Sequence, residues 1–138
     1  MSKKKILIVD DSHTVLQAME IKLAAAGYDT ATAADGSEAL EKAGKIHPDL
    51  VIMDVNFPPD VSQSGIAWDG FRVMEWMRHT GSAGIAPAIF ITSDDINEHK
   101  NRALAVGAAA VFQKPFSPAD LLETIEECLE RVVSPRSY

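Results

Sequence analysis

The side chains of this chain that could do chemistry together stand just past short apolar runs. Asp10 and Asp11 follow Ile6-Leu7-Ile8-Val9, Asp54 follows Leu50-Val51-Ile52-Met53, Thr92 follows Ala88 to Ile91, and Lys114 follows Ala110 to Gln113. If the first and third runs are neighbouring strands, three carboxylates converge in one crevice. Like charges that close cannot all stay ionised without a counter-ion. A hard divalent cation resolves the conflict, and Mg²⁺ prefers a few carboxylates plus waters and phosphate oxygens to a closed cage. Beside a cation, a lysine and a hydroxyl, Asp54 has what an aspartate needs to attack a phosphoryl group: shielded equatorial oxygens and in-line geometry. Lys114 supplies a mobile point charge and Thr92 one donor whose rotamer can change.

The elements that must position these groups are legible from periodicity. The runs at Ile6–Val9, Leu50–Met53 and Ala88–Ile91 are continuous and apolar, as in strands buried on both faces of a parallel sheet. Tyr28 to Ala33 reads as a weaker strand and Ala110 to Gln113 as a fifth. Between them, helical spacing predicts helices over Ser12 to Ala26, Ser37 to Ala43, Gly70 to His79 and Asn97 to Val106, with stops near Gly27, Gly81 and Gly107. Ser117-Pro118 opens a last helix with an N-cap and a proline at its first position, running to about Val133. Strand and helix alternate throughout, which predicts right-handed crossovers and an α/β sheet covered on both faces. In such folds the working site lies outside the carboxyl ends of the strands, where the candidate residues stand.

Composition excludes several classes. A chain of 138 residues with 46% hydrophobic and 24% charged residues predicts one globular domain with a core at about 4–133. The net charge of -7 repels polyanions, so neither nucleic acid nor an acidic membrane surface is an expected partner. No run approaches the ~18 apolar residues of a membrane helix. The single cysteine, Cys128, argues against a disulfide-bonded secreted protein, and a cytoplasmic location is expected.

Ile6 to Asp11, Asp54 with Pro58, Asp69-Gly70, Thr92-Ser93 and Lys114-Pro115-Phe116 together resemble the receiver domain of two-component response regulators. The resemblance covers nearly the whole chain. It implies a doubly wound (βα)5, flavodoxin-like and CheY-like three-layer α/β sandwich with parallel strand order 2-1-3-4-5. It implies that Asp54 is the phosphoacceptor, and that Asp10, Asp11, Asp54 and the backbone carbonyl of Asn56 hold Mg²⁺. Thr92 would be the switch hydroxyl, Lys114 the phosphate-sensing cation, and the Lys114-Pro115 bond cis. The implied partners are a histidine kinase or a histidine phosphotransfer protein upstream. Downstream stands a protein effector meeting the face of the fourth helix, fifth strand and fifth helix. A stand-alone signalling domain rather than an enzyme is the expectation, since the chain ends shortly after its last helix.

Two departures from the family pattern stand out. The loop after Asp54 is longer than usual by about eight residues, roughly Val61 to Trp68, which reads equally as a partial lid over the site and as a tolerated surface insertion. Val111 stands where the family commonly has an aromatic switch residue. Its neighbour Phe112 should face the other way, because side chains alternate along a strand.

Taken singly, each site residue also has a structural explanation. Asp10 and Asp11 could cap the first helix, Asp54 could form a turn, Lys114 could be solvated, and Thr92 could cap the fourth helix. Cys128 lies in register with Leu121, Ile125 and Val132, which reads as core filler. Glu123, Glu126, Glu127 and Glu130 read as a solvated face, and His13, His47, His79 and His99 as surface or capping residues without metal-ligand spacing. Rival functions are weaker. An aspartyl-phosphate hydrolase wants an acid two residues after its nucleophile, where Asn56 stands. A flavin protein wants a Gly/Ser/Thr phosphate loop, where Asp10-Asp11-Ser12 stands. A receiver-like interaction module that is never phosphorylated stays open.

Overall fold

The chain runs β1 (Lys5–Val9), α1 (His13–Ala25), β2 (Asp29–Ala33), α2 (Gly36–Ile46), β3 (Leu50–Asp54), α3 (Gly70–Thr80), β4 (Ala88–Thr92), α4 (Ile96–Ala105), β5 (Ala110–Gln113) and α5 (Pro118–Val133). These elements come from a computed structural model that describes residues 3–56, 69–81 and 86–133. The stretch from Val61 to Trp68, and Pro58 before it, lie outside the described residues. All strand pairs are parallel and the order is β2-β1-β3-β4-β5, as the resemblance implied.

Parity along the strands divides the interior in two. Leu7, Val9, Val51, Met53, Ala88 and Phe90 point to one face and pack with Ala39 and Ala43 of α2, Phe71, Val73, Met74 and Met77 of α3, and Ala103 of α4. Ile6, Ile8, Leu50, Ile52, Ile89 and Ile91 point to the other and pack with Leu16, Met19 and Leu23 of α1 and Leu121, Ile125, Cys128 and Leu129 of α5. The central strands are buried on both sides because each face carries a helical layer, which is why their sequences are unbroken apolar runs rather than alternating ones. Cys128 is buried in the second cluster as expected, and Glu123, Glu126, Glu127 and Glu130 are all exposed.

Boundaries differ from expectation mainly at caps. The helix predicted to end at Ala43 runs on to Ile46 with Gly44 inside it. The left-handed stop is His47, at φ 49°, just before Pro48. Glycines do hold this role at Gly27, Gly81 and Gly107, where φ is positive. Strand β3 extends one residue further than predicted, to Asp54, because Asp54 still pairs with Ile91. The caps of α1 and α4 are Ser12, whose side chain accepts from Val15 N–H, and Asp95, which accepts from Asn97 N–H. Neither Asp10, Asp11 nor Thr92 takes the N-cap position.

Candidate functional site

Register brings the predicted residues together. Val9 pairs with Met53, so Asp10 lies level with Asp54 on the adjacent strand, at the ~4.8 Å spacing of a sheet. Asp54 pairs with Ile91, Ile91 with Phe112 and Thr92 with Gln113, so Thr92 stands one step past that line and Lys114 two. Asp10, Asp54 and Lys114 share the parity of Ile8, Ile52 and Phe112, and their side chains meet on that side. Lys114 Nζ donates to Asp10 Oδ2 at 3.2 Å and lies 3.8 Å from Asp54 Oδ1. One carboxylate oxygen from each of Asp10, Asp11 and Asp54 falls within 4.8 Å of the others.

Burial makes this arrangement costly. Asp10 and Asp54 are only 2% and 3% exposed, while Asp11 is exposed. The Asp54 carboxyl is pushed up to about 7, first by burial and then by the charge of Asp10, with Asp11 adding to the rise. Lys114 and the Asn56 backbone N–H, which donates to Asp54 Oδ1 at 3.3 Å, oppose it and do not win. One ammonium group does not balance three carboxylates. The donor set fits a hard cation: all ligands are oxygens, and the carboxylate oxygens gathered within 4.8 Å of one another are close enough for one such ion. Asp10, Asp11, Asp54 and the Asn56 carbonyl are the residues that could hold it.

Thr92 is fully buried and, one step past Ile91, has the parity of Phe90 rather than that of Asp54. Its hydroxyl donates to Asn56 Oδ1 at 3.2 Å and accepts from Asp94 N–H at 3.0 Å. Asn56 Nδ2 in turn donates to Asp94 Oδ2 at 3.0 Å, the same oxygen that His99 Nε2 meets at 3.0 Å. These bonds, that from His99 first, hold the Asp94 carboxyl below its ordinary range. Periodicity did not single out Asp94 or the Asn56 side chain, and it left His99 among scattered surface histidines. The signal was there in spacing, since Asp94 follows Thr92 by two and His99 lies one turn into α4.

The third helix is held against Asp54 by a missing side chain. Gly70 opens α3 directly beneath β3, where its N–H donates to Val55 O at 2.9 Å. A Cβ at this position would stand 2.2 Å from the Asp54 carbonyl oxygen and 2.8 Å from Met53 Cγ. Gly70→Ala is therefore expected to cost about 3 kcal/mol or more, because backbone rather than a flexible side-chain end must move. Urea unfolding checks this, and a loss below about 0.5 kcal/mol would contradict the packing.

On the fifth strand the parity expectation is met. Val111 pairs with Phe90 and packs on the α2–α4 face, while Phe112 turns to the other face and stacks on Phe116 with centroids 5.6 Å apart. The Lys114-Pro115 bond is cis, as the resemblance implied.

The family model of the response regulator receiver domain matches residues 6–126. This chain belongs to that family. Receiver domains are signalling modules of two-component systems, and the family generally uses Mg²⁺ at an acidic pocket of the kind found here. Among solved structures, the receiver domain is similar to chemotaxis protein CheY4 of Vibrio cholerae, with TM-score 0.81 and 36% identity over 92% of this chain and 99% of that one. It also resembles a CheY-like receiver domain protein of Methanospirillum hungatei, with TM-score 0.81 and 30% identity over 94% and 96%. Protein PilG of Pseudomonas aeruginosa is 30% identical over 88% of the chain and 84% of its own length. The alkaline phosphatase synthesis transcriptional regulatory protein PhoP of Bacillus subtilis is 34% identical over 97% of the chain. The receiver domain spans about half the length of PhoP and of the other first-ranked curated relatives. Among the described residues no helix is long and apolar enough to cross a membrane.

Proposed function

We propose that this receiver domain takes a phosphoryl group onto Asp54 from a phosphohistidine of a kinase or phosphotransfer protein, with Mg²⁺, and signals by changing a protein contact. The observation that carries this reading is the buried Asp54 carboxylate with Lys114 Nζ 3.8 Å away and two further carboxylates beside it. An Asp54 oxygen attacks phosphorus, the bond to the donor nitrogen breaks, and the donor imidazole leaves with the electron pair. When bound, Mg²⁺ shields charge on the phosphoryl oxygens and on the carboxylates. Lys114 already bridges Asp10 and Asp54 and transfers its donors to a phosphoryl oxygen by a short swing of a flexible stem. The Thr92 hydroxyl turns from Asn56 to a second phosphoryl oxygen.

Two such charge-assisted bonds at roughly 1.5 to 3 kcal/mol each reach the ~5.5 kcal/mol needed to invert a 1:99 population. The effector contact is assigned to the face of α4, β5 and α5, where Leu104 is a large apolar side chain left 70% exposed. A cytoplasmic setting and a signalling rather than enzymatic role go with this reading. Incubation with acetyl phosphate and Mg²⁺, followed by intact mass spectrometry, tests it. The expected result is the mass gain of one phosphoryl group that disappears when a chelator replaces Mg²⁺; a gain of equal size in chelator would contradict it.

A further inference from the structure

We propose that Asp94, Glu98 and His99 form a second metal site, separate from the acidic cluster, and that its cation is Zn²⁺. None of the three residues belongs to the Asp10, Asp11 and Asp54 cluster, so the site stands or falls independently of the phosphoacceptor reading.

The histidines of this chain carry no ligand spacing among themselves, and at His99 two carboxylates supply the further donors. Asp94 stands just before α4, while Glu98 and His99 lie four and five residues on, in its opening turn. One ligand atom from each falls within 4.8 Å of the other two. Four-coordinate Zn²⁺, with bonds of about 2.0 to 2.1 Å, sets neighbouring donor atoms about 3.3 Å apart. Asp94 Oδ2 and His99 Nε2 already stand at 3.0 Å. Glu98 is exposed, so a change of rotamer brings its carboxylate the rest of the way.

The imidazole separates this group from a patch of surface acids. The His99 side chain is only 14% exposed, and its ring lies against the fully buried Phe71 with centroids 5.6 Å apart. A ring seated in this way has little rotamer freedom left to lose when a metal arrives. On the carboxylate side, Asn56 Nδ2 donates to Asp94 Oδ2 at 3.0 Å, an outer contact of the kind that orients metal ligands. Among the described residues no lysine or arginine lies within ion-pair distance of Asp94 or Glu98, so no permanent cation occupies the place of a metal.

Donor chemistry decides which cation suits which site. An all-oxygen set such as that of Asp10, Asp11 and Asp54 suits Mg²⁺. An imidazole nitrogen with two carboxylates suits Zn²⁺, with water in the fourth position. The proton balance is simple. An ionised carboxylate only accepts, so Nε2 carries the proton in the metal-free bond to Asp94. Coordination uses the Nε2 lone pair, and that proton moves to Nδ1 in a neutral ring or leaves to solvent from an imidazolium. Zn²⁺ then replaces the proton as the link between His99 and Asp94.

Titration calorimetry of the full chain with Zn²⁺, in a large excess of Mg²⁺, tests the assignment. The wild-type chain should bind one Zn²⁺. His99→Phe keeps an aromatic ring on Phe71 but removes the nitrogen, and should weaken binding about a hundredfold, while Glu98→Gln should weaken it about tenfold. Asp54→Asn, at the other site, should leave Zn²⁺ affinity within about twofold of wild type. Absence of Zn²⁺ binding in excess Mg²⁺ overturns the site. So does binding that keeps its strength in His99→Phe, or that disappears in Asp54→Asn, since the ion would then sit elsewhere. Histidine ring NMR on the wild-type chain decides the matter even if His99→Phe does not fold. Zn²⁺ should move the His99 ring nitrogen signals and place the proton on Nδ1; if those signals stay where they are, the proposal fails.

Discussion

Asp54→Asn is expected to abolish phosphoryl incorporation, lowering the rate on the order of a thousandfold or more, the scale of removing a nucleophile from an otherwise intact site. An amide oxygen carries no full charge, so neither Lys114 nor a metal can make it attack phosphorus. Neighbouring acids do not rescue it. Asp10 is held by Lys114 Nζ at 3.2 Å and accepts from Ser12 N–H at 2.9 Å, and Asp11 sits on the exposed rim. Time-resolved intact mass with acetyl phosphate and Mg²⁺ makes the measurement. A variant that still gains one phosphoryl group at a comparable rate would move the acceptor to another residue.

The second large effect is on stability, and its sign is set by which state holds the proton. The Asp54 carboxyl is raised to about 7 in the folded chain from 3.8, so the fold binds a proton that the unfolded chain releases. Its contribution is therefore fully present below pH 3.8 and is lost as pH rises through about 7. The span from 3.8 to about 7 corresponds to an order of 4 kcal/mol of metal-free stability. Glu38 contributes with the opposite sign at the acid end, below 4.5, because its carboxyl is lowered, first by the backbone N–H of Ala34. Comparison with Asp54→Asn cancels it. The difference in metal-free unfolding free energy, variant minus wild type, should grow by several kcal/mol between pH 4 and pH 8. Millimolar Mg²⁺ competes with the proton and should stabilise the wild-type chain far more at pH 8 than at pH 5. Urea titrations across pH with Mg²⁺ or chelator give all these quantities, and a flat difference would mean that Asp54 is not the buried acid that limits stability.

Most of the fold was legible in the sequence because each strand in the middle of the sheet is an unbroken apolar run and each helix repeats its apolar face. The strand ends were legible for the same reason: Asp10, Asp54, Thr92 and Lys114 interrupt those runs, and only a parallel sheet brings such interruptions to one edge. Strand order came from the resemblance and not from periodicity, which says nothing about which run neighbours which. The end of α2 was misplaced because Gly44 reads as a stop, whereas a helix can carry a glycine when its true cap is another residue, here His47. For the Asn56–Asp94–His99 bonds, spacing along the chain brings only Asp94 and His99 near one another and says nothing of Asn56. Each residue alone has an ordinary turn or surface role, and their meeting depends on how the loops after β3 and β4 fold over one another.

The parity that splits the interior also splits the consequences of change. Ile8, Ile52 and Ile125 lie on the side where Asp10, Asp54 and Lys114 meet, while Phe71, Phe90 and Val111 lie on the side toward which Thr92 and His99 turn. The sheet is thus a partition with two tenants. Repacking the first layer should bear directly on the Asp10, Asp54 and Lys114 side chains, and repacking the second on Thr92 and His99.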